Sequence, residues 1–117
     1  MVFFHGLGDT ADGWASMMPS LNIPDTKFIL PTAPNRKITL NRGATMTGWF
    51  DMVGLEMTDP EDRVGFEESS ARVSSIVNAE ISKGVDPKKI IVAGFSQGKE
   101  RISILSLGLY KCFSNKC

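Results

Sequence analysis

The sequence predicts an α/β fold in which short parallel strands alternate with helices. Three short runs of apolar residues have the length of buried strands, and glycine or proline follows each run closely. Segments with apolar residues at helical spacing lie between them. Strands that are joined through helices run parallel, and the helices then pack on the sheet faces, so we expect a three-layer αβα arrangement.

The first half of the chain contains two predicted strands and one helix. Residues 2–4 form the first strand, which enters a loop at Gly6. Residues 14–21 carry apolar side chains at helical spacing and predict a short helix. Residues 28–30 are predicted as a second buried strand, which Pro31 ends.

The second half continues the alternation after a long structured loop at residues 31–58. Residues 59–62 have the composition of a helix start, with a capping acid, a proline and further acids at the positive end of the helix dipole. We expect the regular helix to begin near Phe66 and to end at Gly84. Residues 90–93 form the last predicted strand.

Length and charge narrow the classes of function. A chain of 117 residues is one domain by its length, and 42% hydrophobic residues suffice for a packed core. The charges of the 13 basic and 13 acidic side chains cancel, so the net charge does not favour binding to nucleic acid. Residues 1–5 do not resemble a signal peptide, and no apolar run reaches the roughly 18–20 residues that span a bilayer. We therefore expect a cytoplasmic protein without stable membrane insertion.

The sequence contains few residues that could ligate a metal ion. Cys112 and Cys117 match no common zinc or redox spacing, and His5 is the only histidine in the sequence. We expect no metal site and no cofactor.

The last predicted strand leads directly into GFSQG at residues 94–98, which fits the G-x-S-x-G pattern of a nucleophile elbow. In that motif a strand turns sharply into a helix and presents a serine at the tip. The flanking glycines avoid a Cβ that would crowd the turn. Ser96 is therefore predicted to be an acyl-transfer nucleophile.

A glycine-rich loop after the first strand supplies the other requirement of acyl transfer. The loop HGLG at residues 5–8 lies where an α/β-hydrolase places one half of its oxyanion hole. The tetrahedral intermediate needs two N–H groups aimed at its oxygen. The candidate donors are the backbone amides of Leu7 and Gln97.

Five motifs in order make a family resemblance specific. They are FFHGLGDT at residues 3–10 with Gly13 and Trp14, PTAP at 31–34, TLN at 39–41, WFD at 49–51 and GFSQG at 94–98. Together they resemble the acyl-protein thioesterase (lysophospholipase-like, phospholipase/carboxylesterase) family of α/β-hydrolases over residues 2–98. The resemblance implies a serine hydrolase that uses Ser96 and the amides of Leu7 and Gln97.

The resemblance also implies the substrates. Such enzymes cleave acyl thioesters of protein cysteines, or oxygen esters of lysophospholipids and small acyl substrates. Family members hold the acyl chain in an apolar channel, and the side chains expected to contribute are Leu40, Met46 and Trp49. For Trp49, ordinary core packing is the competing interpretation. The sequence leaves the choice between thioester and lysolipid open, and also the oligomeric state.

The chain departs from the pattern after the elbow. The fold places an acid and then a histidine after the nucleophile, whereas Glu100 is the only acid beyond Ser96 and no histidine follows it. By the resemblance, His5 is a structural loop residue. Loss of the base costs on the order of 10⁶ in turnover in subtilisin. We therefore expect the chain as given to be nearly inert.

Residues 99–117 match nothing in the family pattern. Residues 99–101 are three charges where the family's next helix would be buried. Codons for Gly-Lys can contain a splice-donor sequence, so translated intron or a faulty gene model would explain this tail. We expect residues 1–98 to be the N-terminal part of an α/β-hydrolase domain, a partial fold with the C-terminal strands missing. In the family's strand order, the first strand lies between the other two.

Two further classes of function stay open. One is a truncated, non-catalytic product that binds acyl groups or a partner. The other follows from residues 6–11, which fit the dinucleotide-binding pattern G-x-G-x-x-G/A between a strand and a helix. That pattern wants an acid at the end of the next strand, and residues 28–32 contain none.

Overall fold

The computed structural model describes residues 1–56 and 58–98, so the predicted tail at 99–117 lies outside the described residues. The helices and strands of this part are β1 Val2–Phe4, α1 Ala11–Ala15, β2 Asn35–Ile38, β3 Ala44–Thr47, α2 Arg63–Ser82 and β4 Val92–Gly94. Short 3-10 turns lie at Met18–Leu21, Thr39–Asn41 and Pro87–Lys89.

Strand β1 lies between the two other predicted strands. It pairs in parallel with β4, with Val2 opposite Val92. On its other side, Val2 forms a parallel bridge to Ile29. The expected order, with the first strand in the middle, is confirmed. Residues 28–30 make one bridge rather than a regular strand, because Pro31 has no N–H to continue the ladder.

The predicted helix at residues 14–21 is divided in the structure. Thr10 caps α1, and its hydroxyl accepts the N–H of Gly13 at 3.3 Å. The helix ends at Ala15, and Pro19 lies in the first turn of the 3-10 segment that follows. Proline lacks the N–H that a continuing helix requires, so the helical spacing of the apolar residues does not produce one continuous helix.

The region predicted as a loop contains an antiparallel hairpin of β2 and β3. Ile38 lies opposite Ala44 at the turn end of the hairpin. Arg42 and Gly43 make the turn in the left-handed region, with φ of 56° and 77°. The prediction missed this hairpin because, of its strand residues, only Ile38 is buried, so no alternating apolar pattern marks it.

Helix α2 begins earlier than the expected start near Phe66. The carboxylate of Asp62 accepts the N–H of Gly65 at 2.9 Å and caps the helix. The first acid of the predicted start, Asp59, is not the cap, because its carboxylate accepts an N–H of the preceding turn. Gly84 follows the end of the helix with φ of 92°, as predicted for a terminating glycine.

The core lies between α2 and the parallel sheet. The buried side chains at its centre are Val2, Phe4, Val73, Val77 and Val92. On the opposite face of β1, Phe3 packs against Trp14 of α1 with ring centroids 4.6 Å apart. Helices therefore lie on both faces of the sheet, as the alternation of elements predicted.

Glu80 connects α2 to the segment that precedes Ile29. Its carboxylate accepts hydrogen bonds from the Nζ atom of Lys27 at 2.9 and 3.0 Å and from that of Lys83 at 2.8 Å. The side chain is 11% exposed. The hydrogen bonds from Lys83 and Lys27 favour the ionised form and lower the pKa of the Glu80 carboxyl.

Glu80→Gln is expected to lower the midpoint of urea-induced unfolding at neutral pH, because both ammonium groups lose an anionic partner. A carboxylate with a lowered folded pKa adds stability above its unfolded pKa and loses that contribution as the pH falls through the folded value. The difference from wild type should therefore shrink below about pH 4.

Glu67→Gln is the matched control, because Glu67 lies on an exposed position of the same helix. Its unfolding midpoint should equal that of wild type both at neutral pH and below about pH 4. A difference between Glu80→Gln and wild type that persists undiminished in acid would contradict the assigned ion pairs.

Candidate active site

Ser96 stands at the sharp turn between β4 and a helical turn that begins at Gln97. Its φ of 50° lies in the left-handed region. Residues with a Cβ adopt this region rarely, and such strain concentrates at functional sites. The residue is exposed. This geometry is typical of a nucleophile elbow.

Gly98 allows the turn to lie directly against β1. A Cβ on Gly98 would be 2.7 Å from the carbonyl oxygen of His5 and closer still to that of Phe4. The N–H of Phe95 donates to the Phe4 carbonyl at 3.0 Å, so the contact continues along the backbone. Since the φ of Gly98 lies outside the left-handed region, space and not conformation requires glycine here.

The loop after β1 lies beside Ser96 and is braced by the end of β3. A Cβ placed on Gly6 would be 3.4 Å from the Cβ of Ser96. The N–H of Gly8 donates to the carbonyl of Thr47 at 2.8 Å, and the Thr47 hydroxyl donates to the carbonyl of Asp9 at 2.6 Å. No local pattern in the sequence marks Thr47, because this contact joins residues far apart in the chain.

The backbone amides of the two predicted oxyanion donors are unpaired in the part of the chain that the structure describes. Within residues 1–56 and 58–98, the N–H groups of Leu7 and Gln97 donate to no protein acceptor. Gln97 begins a helical turn, where amides have no intrahelical acceptor. The structure thus brings the loops that carry both amides to the same side of the sheet as Ser96. Free, preorganised N–H groups are what a developing oxyanion requires.

His5 is a structural residue of the loop, as the resemblance implied. Its ring is buried, and Nε2 accepts the N–H of Ala33 at 2.9 Å. Nε2 therefore carries no proton, and Nδ1 donates to the carbonyl of Gly6 at 2.7 Å. Backbone groups occupy both ring nitrogens, so neither is free to accept the proton of Ser96.

A buried network joins both loops to the segment that follows β3. The side chain of Gln97 accepts the N–H of Trp49 at 2.9 Å and donates to the carbonyl of Phe50 at 2.7 Å. The indole Nε1 of Trp49 donates to the carbonyl of His5 at 2.8 Å. The sequence predicts a role only for the backbone amide of Gln97. The one hint of a side-chain role in the sequence is that this polar residue directly follows the nucleophile.

The three residues predicted to line an acyl channel lie in different environments. Trp49 is fully buried and packs edge-on against Phe4, with ring centroids 5.0 Å apart, which favours the core-packing interpretation. Leu40 is 37% exposed. Met46 is half-buried, and its sulfur would lie 3.8 Å from a Cβ on Gly8. Met46 is therefore adjacent to the loop beside Ser96.

Phe95, for which the sequence predicts no role, is an apolar neighbour of Ser96. It is 56% exposed, and its ring centroid lies 5.3 Å from that of Trp14. The Trp14 indole donates to the carboxylate of Asp9 at 2.7 Å, so this carboxylate braces the loop. An exposed aromatic ring beside Ser96 extends the apolar surface at the site.

Neither a membrane span nor a metal cluster is found in the described part of the chain. No helix there is long and apolar enough to cross a bilayer. His, Cys, Asp and Glu side chains form no group of three suited to a metal ion within the same residues.

Comparison with known proteins decides the family. The model of the phospholipase/carboxylesterase family matches residues 1–115. The chain belongs to this family. Among solved structures, SOBER1 of Arabidopsis thaliana superposes with a TM-score of 0.82 at 27% identity, over 87% of this chain and 51% of that chain. Acyl-protein thioesterase 2 of Zea mays gives a TM-score of 0.70 at 36% identity, over 83% of this chain and 40% of that chain.

A curated relative gives the same assignment. Acyl-protein thioesterase 1 of Neurospora crassa is 35% identical over 126 residues, which cover 100% of this chain and 49% of the relative. The chain therefore spans about half the length of that relative. The fold is that of the α/β-hydrolases, as the motifs predicted.

Gly98→Ala is expected to lower the free energy of unfolding by about 3 kcal/mol, the upper end of the usual cost of overpacking, because the obstructing atoms are backbone carbonyls. Gly43→Ala is the comparison. Gly43 has φ of 77° and open space around it, so its cost is the conformational one of about 1 kcal/mol. Urea denaturation of both variants measures the difference. Equal losses would mean that space does not determine the residue at position 98.

Proposed function

We propose that this chain supplies the nucleophile and oxyanion groups of an acyl thioester or ester hydrolase, with Ser96 forming the acyl-enzyme. The strained backbone of Ser96, φ 50°, is the observation that carries the proposal. It is supported by the Leu7 amide, which has no protein acceptor in the part of the chain that the structure describes. Membership of the phospholipase/carboxylesterase family supports the same reaction class.

The proposed reaction is two successive acyl transfers. The Oγ atom of Ser96 attacks the substrate carbonyl carbon while a base takes its proton, and the carbonyl oxygen becomes an oxyanion that accepts hydrogen bonds from Leu7 and Gln97. The intermediate then expels the thiol or alcohol, which leaves with the proton held by the base. Water attacks the acyl-enzyme by the same route and releases the carboxylic acid.

The general base that takes the Ser96 proton in the proposed reaction is not among the side chains that surround Ser96 in the described part of the chain. His5 has both ring nitrogens bonded to backbone, and Glu100 is the only acid that follows Ser96 in the sequence. We therefore propose that the chain as given is nearly inert. A silent product that binds acyl groups or a partner is the alternative for this chain alone.

The proposed substrate is an acyl thioester of a protein cysteine. The relatives from Neurospora crassa and Zea mays are acyl-protein thioesterases, which favours thioesters over the alternative lysophospholipids and small carboxylic esters. Met46, Leu40 and the exposed ring of Phe95 are the apolar groups proposed to meet the acyl chain. The proposed location is the cytoplasm, on the family resemblance alone.

A fluorophosphonate probe tests the nucleophile in two preparations. One is the chain alone. The other is a chimera in which the second half of Neurospora crassa acyl-protein thioesterase 1 follows Gly98, to supply the acid and histidine that this fold places after the serine. The chimera should be labelled at Ser96 and should hydrolyse a palmitoyl-thioester peptide. The chain alone should turn over the peptide on the order of 10⁶-fold more slowly.

Ser96→Ala in the chimera is the control and should abolish both labelling and turnover. Labelling that persists in this variant, or a chimera that melts cooperatively yet is not labelled, would overturn Ser96 as the nucleophile. Turnover by the chain alone at the rate of the chimera would overturn the proposed lack of a base.

A further inference from the structure

Trp49 contacts both loops that carry the proposed oxyanion amides. Its indole Nε1 donates to the carbonyl of His5 at 2.8 Å, on the loop that contains Leu7. Its backbone N–H donates to the side-chain oxygen of Gln97 at 2.9 Å. One residue therefore connects two segments that lie at opposite ends of the described chain.

The side chain of Gln97 completes the connection. Its Nε2 donates to the carbonyl of Phe50 at 2.7 Å, so both polar atoms of the carboxamide are bonded to the backbone that follows β3. Because this side chain belongs to the residue whose N–H is a proposed donor, holding the carboxamide restrains the direction of that N–H. Gln97 is 1% exposed and Trp49 is 0% exposed, so water does not compete for these bonds.

We propose that Trp49 and the side chain of Gln97 form a positioning clamp that fixes the separation of the two oxyanion amides. The inference rests on the proposed function. The clamp touches no reacting atom. It holds the amides of Leu7 and Gln97 where the oxyanion forms, and a misplacement of about 1 Å in such groups costs on the order of 10² in rate.

Ser69 allows the clamp to be separated from ordinary core packing. Its hydroxyl, on α2, is 3% exposed and donates to the carbonyl of Trp49. It therefore bonds to the same buried residue, but within residues 1–56 and 58–98 it makes no hydrogen bond to either loop that carries an amide. If Trp49 and Gln97 only fill the core, loss of the Ser69 bond should affect catalysis as much as loss of theirs.

The experiment compares Trp49→Phe, Gln97→Met and Ser69→Ala in the chimera described above. Trp49→Phe removes the indole N–H, and Gln97→Met removes both bonds of the carboxamide at similar volume. Both should lower kcat for the thioester peptide by about 10- to 100-fold, with KM within about threefold of wild type. Ser69→Ala should keep kcat within about threefold of wild type while its melting temperature falls.

Rates are expressed per labelled Ser96, so that unfolded protein does not count. If Gln97→Met yields no folded protein, Gln97→Asn keeps the carboxamide but is one methylene too short to reach both partners, and it gives the same readout.

Two outcomes would overturn the clamp while leaving the proposed function in place. In one, all three variants lower kcat equally at matched losses of melting temperature. In the other, KM rises while kcat is unchanged, which would place Trp49 or Gln97 in substrate binding. A wild-type chimera that is not labelled at Ser96 would overturn the proposed function, and the clamp with it.

Discussion

The candidate site depends on the direct contact between the backbone of the elbow and the end of β1. In a parallel sheet, loops that leave neighbouring strands at their carboxyl ends emerge at the same edge. The pairing of β1 with β4 therefore brings the loop with Leu7 and the turn with Ser96 together. Gly98 lets this turn approach β1 so closely that a Cβ at position 98 would clash with the carbonyls of Phe4 and His5. The topology of the sheet selects the partners, and the glycine sets their distance.

The loops of the site lie outside the helices and strands. Buried polar side chains stabilise them. His5, Ser69 and Gln97 are each at most 3% exposed, and each bonds to backbone groups of another segment or of its own loop. A buried carbonyl or N–H without a partner costs free energy, so each such bond both satisfies a loop and restrains it. The segment from residue 48 to 51, which is neither helix nor strand, is fixed in this way.

The parts of the fold that could be predicted are those whose signal lies within a few residues. The apolar runs of β1 and β4, the terminating Gly84 and the pentapeptide around Ser96 are local patterns. The structure has β1, Gly84 and the turn at Ser96 where the sequence indicated, whereas β4 begins at Val92, two residues after the predicted start, and ends at Gly94. The hairpin of β2 and β3 was missed because only one of its strand residues, Ile38, is buried, so the sequence has no alternating apolar pattern there. The Gln97 side chain and the Thr47 brace were missed for another reason. Their partners lie about forty residues away or more, and only the folded chain brings them together.

The left-handed backbone of Ser96 sets stability against chemistry at a single position. Glycine is the residue that accepts such a φ without cost, and it would relax the turn by roughly 1 kcal/mol. Glycine would also delete the hydroxyl on which the proposed reaction depends. Selection for thermal stability alone would therefore favour Ser96→Gly, a change that stabilises the protein and removes the proposed nucleophile. The serine is a residue that the fold tolerates rather than one that it prefers.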